Sequence, residues 1–131
     1  MNATVREWIA KADGDHRMAG RELRARKQPN HDGICFHAQQ CAEKLMKALL
    51  IQKGLVPPKV HDLVGLSRLV SQACSGWDWP IEELRFLTHA AVTFRYPGEA
   101  ATAADAAKAF EIATRLRAKL MRLLPKGGAA E

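Results

Sequence analysis

Four stretches of this 131-residue sequence carry side chains able to bind or transform a charged ligand: Phe36 to Leu50, the pair His61-Asp62, Val92 to Glu99, and the thiols Cys35, Cys41 and Cys74. In the first, His37, Gln40, Lys44 and Lys47 recur at steps of three and four, which on a helix makes a polar stripe beside an apolar one. A solvated helix face gives the same pattern; its company with the third stretch favours a binding role. There Arg95 and Tyr96, the single tyrosine of the chain, stand at a break between helices. A guanidinium offers a planar fork of donors to phosphate or carboxylate, and a phenol offers an aromatic face with a hydroxyl, a combination suited to a nucleotide or RNA. A helix-end clamp is the competing role, with Arg95 on the last carbonyls and Tyr96 packed on the neighbouring helices.

His61-Asp62 admits two readings as well. An adjacent His and Asp can share a metal when other helices add ligands, but Asp62 also stands between Pro57-Pro58 and the apolar Leu63 and Leu66, where a helix N-cap belongs. The cap is preferred, and His61 becomes a loop-end residue able to line a cleft. Cys35 and Cys41 are turned well off one face by helical geometry, so only His37 and Cys41, at i and i+4, could share a metal. The cysteines read as packed free thiols, and neither a metal nor a cofactor is expected. No glycine-rich run resembles a Rossmann turn or a P-loop, so a bound nucleotide would be held by side chains. No nucleophile with an assigned base can be read, and no residue is named catalytic.

The elements that must position these groups follow from the prolines, because proline removes a backbone donor and disfavours helix in the residue before it. Prolines fall at Pro29, Pro57-Pro58, Pro80, Pro97 and Pro125, and the intervals between them hold helical rather than alternating patterns. The first helix is expected from about Thr4 to Lys27, with Val5, Trp8, Ile9, Ala12, Ala19 and Leu23 inward. Asp32 is the expected N-cap of the second, and Gly54 its stop. Asp62 caps a shorter third helix, the fourth runs from Pro80 toward Phe94, and the fifth from about Ala100 to Leu124. The result is an all-α, up-and-down antiparallel bundle of four to five helices, one domain over residues 1–125, with a frayed tail at 126–131.

Composition agrees. With 47% hydrophobic and 26% charged residues the chain is an ordinary globular domain, large enough to fold without disulfides. It holds no run of the ~20 apolar residues that would span a bilayer, and its first apolar stretch is interrupted by Arg6 and Glu7, so a cytoplasmic chain without a signal peptide is expected. A net charge of +6 suits a polyanionic partner.

Phe36-His37-Ala38-Gln39-Gln40 with Ala42-Glu43-Lys44 and Lys47-Ala48-Leu49-Leu50, then His61-Asp62-Leu63, then Arg95-Tyr96-Pro97-Gly98, strongly resembles the small prokaryotic HEPN proteins (higher eukaryotes and prokaryotes nucleotide-binding) over about residues 4–124. The resemblance implies a helical bundle that is commonly homodimeric and often made beside a minimal nucleotidyltransferase as a toxin–antitoxin-like pair. Active members are metal-independent ribonucleases that use an arginine and a histidine separated by four to six residues near the start of the last long helix.

This sequence departs from that pattern. No histidine follows Arg95; Arg85 and His89 have three residues between them; and Arg26 and His31, with four between, lie in the first interhelical loop. General acid–base cleavage of RNA needs a group titrating near neutral pH. The expectation is therefore a nucleotide-, RNA- or partner-binding module, with a metal-independent ribonuclease toxin as the alternative, in which His37 or His89 could be recruited. Arg95 and Tyr96 are expected to face His37, Lys44 and Lys47 in one electropositive pocket, with Gln40 and His61 among the binding residues. Trp8, Trp77, Trp79, Phe86 and Phe94 are expected to leave aromatic surface for a homodimer interface.

Overall fold

Five helices in chain order build an all-α, up-and-down antiparallel bundle: α1 (Ala3–Leu23), α2 (His31–Gln52), α3 (Leu63–Ala73), α4 (Ile81–Thr93) and α5 (Ala103–Leu123). The structure, a computed structural model, describes residues 1–125; the tail expected at 126–131 lies outside the described residues. α2 is the central element and packs against all four others. Its burial shows this, for Leu45 to Leu50 are buried without interruption, and a helix buried on every side is one surrounded by neighbours. Around it lie Val5, Ile9 and Ala12 of α1, Leu63, Leu66 and Val70 of α3, Leu84 and Leu87 of α4, and Ile112, Leu116 and Leu120 of α5. Among the described residues no helix is long and apolar enough to cross a membrane.

The helix ends follow from local chemistry, and three of them differ from expectation. α1 stops at Leu23, four residues before Lys27, where the Arg24 N–H closes the last turn onto the Gly20 and Arg21 carbonyls; Gln28, before Pro29, takes a left-handed φ of 45° in the loop beyond. The N-cap of α2 is Asn30, whose Oδ1 accepts the Gly33 N–H at 2.8 Å; Asp32 lies in the first turn instead. Its carboxylate there suits the positive end of the helix dipole and accepts the Ala101 N–H at 2.7 Å, tying the approach to α5 onto α2. α5 opens two residues beyond Ala101, on a capping box in which Thr102 and Asp105 bond each other's backbone N–H. Gly54 and Asp62 act as expected. Gly54, at φ +82°, completes a Schellman end in which Leu55 N–H reaches Leu50 C=O at 2.9 Å, and Asp62 caps α3 through the Val64 N–H.

The aromatic surplus expected to need a second copy is housed within the chain to a large extent. Trp77 is buried, its Nε1–H donating to Ser67 Oγ at 2.8 Å, and Trp79 stacks on it with ring centroids 5.9 Å apart. Lys119 and Arg115 roof these rings and Lys108 covers Phe86, each an ammonium or guanidinium over a π face. Trp8, Phe86 and Phe94 pack in part against the core.

All three cysteines are free and buried. Burial is the main cause that pushes the thiols of Cys35 and Cys41 up to about 12, and neighbouring Asp105 and Asp32 add to it at Cys35. At pH 8 almost no thiolate exists at either position, and the thiolate is the nucleophile. A colorimetric disulfide reagent should leave Cys35 and Cys41 unmodified in the native protein over an hour and titrate all three thiols once the chain is unfolded. Rapid native labelling of either would contradict the packing described.

Candidate functional site

A cleft of about 170 Å³ opens between α2, the end of the α2–α3 loop and the C-terminal half of α4. Phe36, Gln39 and Gln40 form one wall, Thr88, Ala91 and Val92 the other, and His61 and Arg95 stand at its edge. The volume is below the ~300 Å³ at which a pocket encloses a drug-sized ligand, so it can take a phosphate or another part of a nucleotide while the rest lies on the surface.

Arg95 is positioned by the break after α4, where its backbone closes a turn onto Val92 C=O, and its guanidinium lies over the Phe36 ring with 4.9 Å from Cζ to the centroid. Among the described residues it has no ion-pair partner. The guanidinium lies over an aromatic face and, among the described residues, makes no side-chain hydrogen bond, which leaves its N–H donors for a ligand. Among the described residues its side chain makes no hydrogen bond to a helix-end carbonyl, the contact a clamp would require. Tyr96, next in the chain, is 65% exposed and neither packs on the bundle nor lines the cleft.

Beneath the cleft runs a buried polar network. Gln39, almost wholly buried, donates through Nε2 to Glu43 Oε1 (3.0 Å) and to the His61 carbonyl (2.9 Å), so one side chain fastens α2 to the residue before the α3 cap. Gln40 donates to Gln39 Oε1 at 2.8 Å. Lys47 Nζ donates to Glu43 Oε2 at 3.1 Å, with both side chains under a tenth exposed. His61 Nδ1 lies 3.0 Å from Glu43 Oε1, and because a carboxylate only accepts, Nδ1 carries the proton and Nε2 is left for a ligand. Burial by itself pushes the Glu43 carboxyl up; the hydrogen bonds from Gln39, His61 and Lys47, with the Lys47 charge, outweigh it and hold the group below its ordinary value. Glu43 therefore stays ionised and orients His61.

The residues expected in one pocket are thus divided. Arg95, Gln40 and His61 meet at the cleft. His37 and Lys44 turn to α1, where both bind the buried Asp15, His37 Nδ1 at 2.7 Å from Oδ1 and Lys44 Nζ at 2.6 Å from Oδ2. Lys47 is beneath the cleft with its charge matched by Glu43. Lys44 also borders an open depression of about 440 Å³ with Thr4, Glu7, Trp8 and Lys11. His89 of α4 lies outside the cleft lining, paired with Thr93 Oγ1 at 3.1 Å. Phe36, Gln39 and Glu43 enter the sequence reading only within the family motif and not as binding residues, and Thr88 and Asp15 do not enter it. The four-residue steps Gln39, Glu43, Lys47 were the available signal, since such a row on one helix is a ladder of side-chain bonds. Among the described residues no group of three or more His, Cys, Asp or Glu side chains is placed to hold a metal ion.

Two solved structures share this architecture. TT1696 from Thermus thermophilus superposes with a TM-score of 0.75 at 23% identity, covering 92% of this chain and 98% of that one. ST0689, described as an archaeal HEPN homologue, has a TM-score of 0.62, again at 23% identity and with the same coverage. No curated protein matches the chain. The family model for the HEPN domain matches residues 5–123, which span α1 through the end of α5. The chain belongs to the HEPN family.

Proposed function

We propose that this HEPN protein binds the phosphate of a nucleotide or RNA in the cleft of Arg95, Gln40 and His61, and that it acts as a homodimer beside a partner protein, a minimal nucleotidyltransferase in a toxin–antitoxin-like pair. The observation that carries the binding role is the Arg95 guanidinium, unpaired among the described residues and held over the Phe36 ring at a cleft it lines. Forming a fork-shaped contact to a phosphate from a preset position costs little side-chain entropy, and the imidazole and carboxamide beside it can hold sugar or phosphate oxygens. The net charge of +6 draws polyanions toward the surface. The partner and the dimer rest on the family; Val92 in the cleft wall and Tyr96 outside the cleft lining, both exposed, are the side chains a second copy would cover there.

One observation favours the ribonuclease alternative. Glu43 fixes the tautomer of His61, which shares the cleft with Arg95, so an acid–base group and a phosphate-binding group are close although no histidine follows Arg95 in sequence. Titration calorimetry with nucleotides and a short RNA in EDTA, followed by electrophoresis of the recovered RNA, separates the two. Binding with intact RNA is the expected result. Cleavage in EDTA that His61→Asn abolishes would establish the alternative, and neither binding nor cleavage would refute both. Sedimentation at micromolar concentration should give a dimer, and a monomer there would remove that part of the proposal.

A further inference from the structure

Where α1 packs on α5, a second depression of about 330 Å³ shares no residue with the Arg95 cleft. We propose that this groove, lined by His16, Arg17, Gly20, Arg21, Arg24 and Phe110, binds a single-stranded polynucleotide, with phosphates on the arginines and a base against the rings.

Arg17, Arg21 and Arg24 sit at i, i+4 and i+7 of α1, on one side of the helix and separated by ~6 and ~4.5 Å along its axis. All three are exposed, and none has an ion-pair partner among the described residues. The acids nearest in sequence are already engaged: Asp13 by Arg117 at 2.8 Å, Asp15 by His37 and Lys44, and Glu22 by the Asn30 N–H at 2.7 Å. Like charges one turn apart repel, and a chain of phosphates relieves that repulsion while releasing its own counterions.

The floor is aromatic and fixed. The His16 and Phe110 rings stack at 4.9 Å with 20° between their planes. Thr114 Oγ1 donates to the Phe110 carbonyl at 2.8 Å and so accepts from His16 Nε2 at 2.9 Å, locking the imidazole to α5. Burial, and then the nearby Arg117, lower the His16 pKa, so the ring is neutral near pH 7 and offers a π face. Gly20 makes room, because a Cβ there would stand 3.3 Å from the Phe110 ring. An acidic peptide would use the arginines and leave the rings idle; a polynucleotide uses both, since each base has a π face to stack.

Fluorescence anisotropy of the full chain with labelled 12-nucleotide oligo(U) and oligo(dT), over a salt series, tests this. Arg17→Gln with Arg21→Gln should weaken binding at least ten-fold and lower the slope of log K against log salt by ~1.4, twice the ~0.7 per single-strand phosphate contact. Phe110→Leu should weaken it about ten-fold at an unchanged slope. Arg68→Gln with Arg85→Gln, the same charge change on α3 and α4, should stay within about two-fold. Thermal melts establish that each variant is folded. Binding of either strand supports the proposal, the tighter one naming the source. Equal loss in both arginine pairs, which is net charge alone, would overturn it, as would no loss from the α1 pair or polyglutamate binding as tightly without regard to Phe110. A mononucleotide, too short to span the α1 arginines, reads the cleft by itself: Arg17→Gln with Arg21→Gln should leave its affinity within about two-fold, so failure at the cleft and failure at the groove are told apart.

Discussion

Glu43→Ala should destabilise the fold by about 3 kcal/mol, the largest effect expected from any single polar residue described here. The substitution leaves the Lys47 ammonium buried without its partner and removes the acceptor of Gln39 and His61 at once. Breaking a buried pair from one side costs roughly 3–5 kcal/mol, and the lower figure applies because the Lys47 stem can swing toward water. Against a total stability of ~5–15 kcal/mol this is a drop of about 12 °C in melting temperature. Glu43→Gln keeps one acceptor and should lose about half as much. Replacing both partners, Glu43→Leu with Lys47→Met, should cost less than Glu43→Ala by itself, since two apolar groups leave no uncompensated charge. Urea unfolding of the four proteins decides it, and a loss below about 1 kcal/mol for Glu43→Ala would mean that the network does not hold the fold.

The same group sets a pH window. Its folded pKa lies below the ordinary 4.5, so the ionised form is favoured by folding and its contribution is complete above about 4.5. That contribution disappears as pH falls through the folded value. The gap in unfolding free energy between wild type and Glu43→Gln should therefore close as pH falls below about 4.5. A gap that widens as pH falls below about 4.5 would reverse the assigned direction.

What the sequence made legible was the bundle and some of its helix ends, because glycine stops and side-chain caps act locally. Gly54 ends α2 with its own left-handed φ, and Asp62 caps α3 with its own side chain. The binding residues were legible as types and not as a site. His37 and Lys44 are seven apart and overlie one another to within ~20°, as do Gln40 and Lys47, while the two rows stand ~60° apart on the helix. A stripe read as one face is thus two, the first turned to Asp15 on α1 and the second to the Glu43 side. Nothing in the spacing of α1 says that Asp15, among its many charged residues, is the one that turns inward. That depends on how α1 is rotated against α2, a property of packing.

Arg95→Ala should lower affinity for nucleotide or RNA phosphate by about 10- to 150-fold, corresponding to ~1.5–3 kcal/mol for a charge-assisted contact. Little change in stability should accompany it, because the guanidinium is exposed, unpaired among the described residues, and held by one stacking contact worth ~0.5–1 kcal/mol. Arg95→Lys should recover only part of the affinity: an ammonium keeps the charge, and loses the fork and much of the stacking on Phe36. Phe36→Leu should give an intermediate loss, since it keeps Arg95 and removes the surface that presets it. Raised salt should weaken the wild type more steeply than Arg95→Ala, as one screened charge fewer remains. Calorimetric titration and thermal melts of the same samples give both readouts. A variant that melts several degrees lower and binds as tightly as wild type would assign Arg95 to the fold, and a stable variant with wild-type affinity would move the phosphate site away from this cleft.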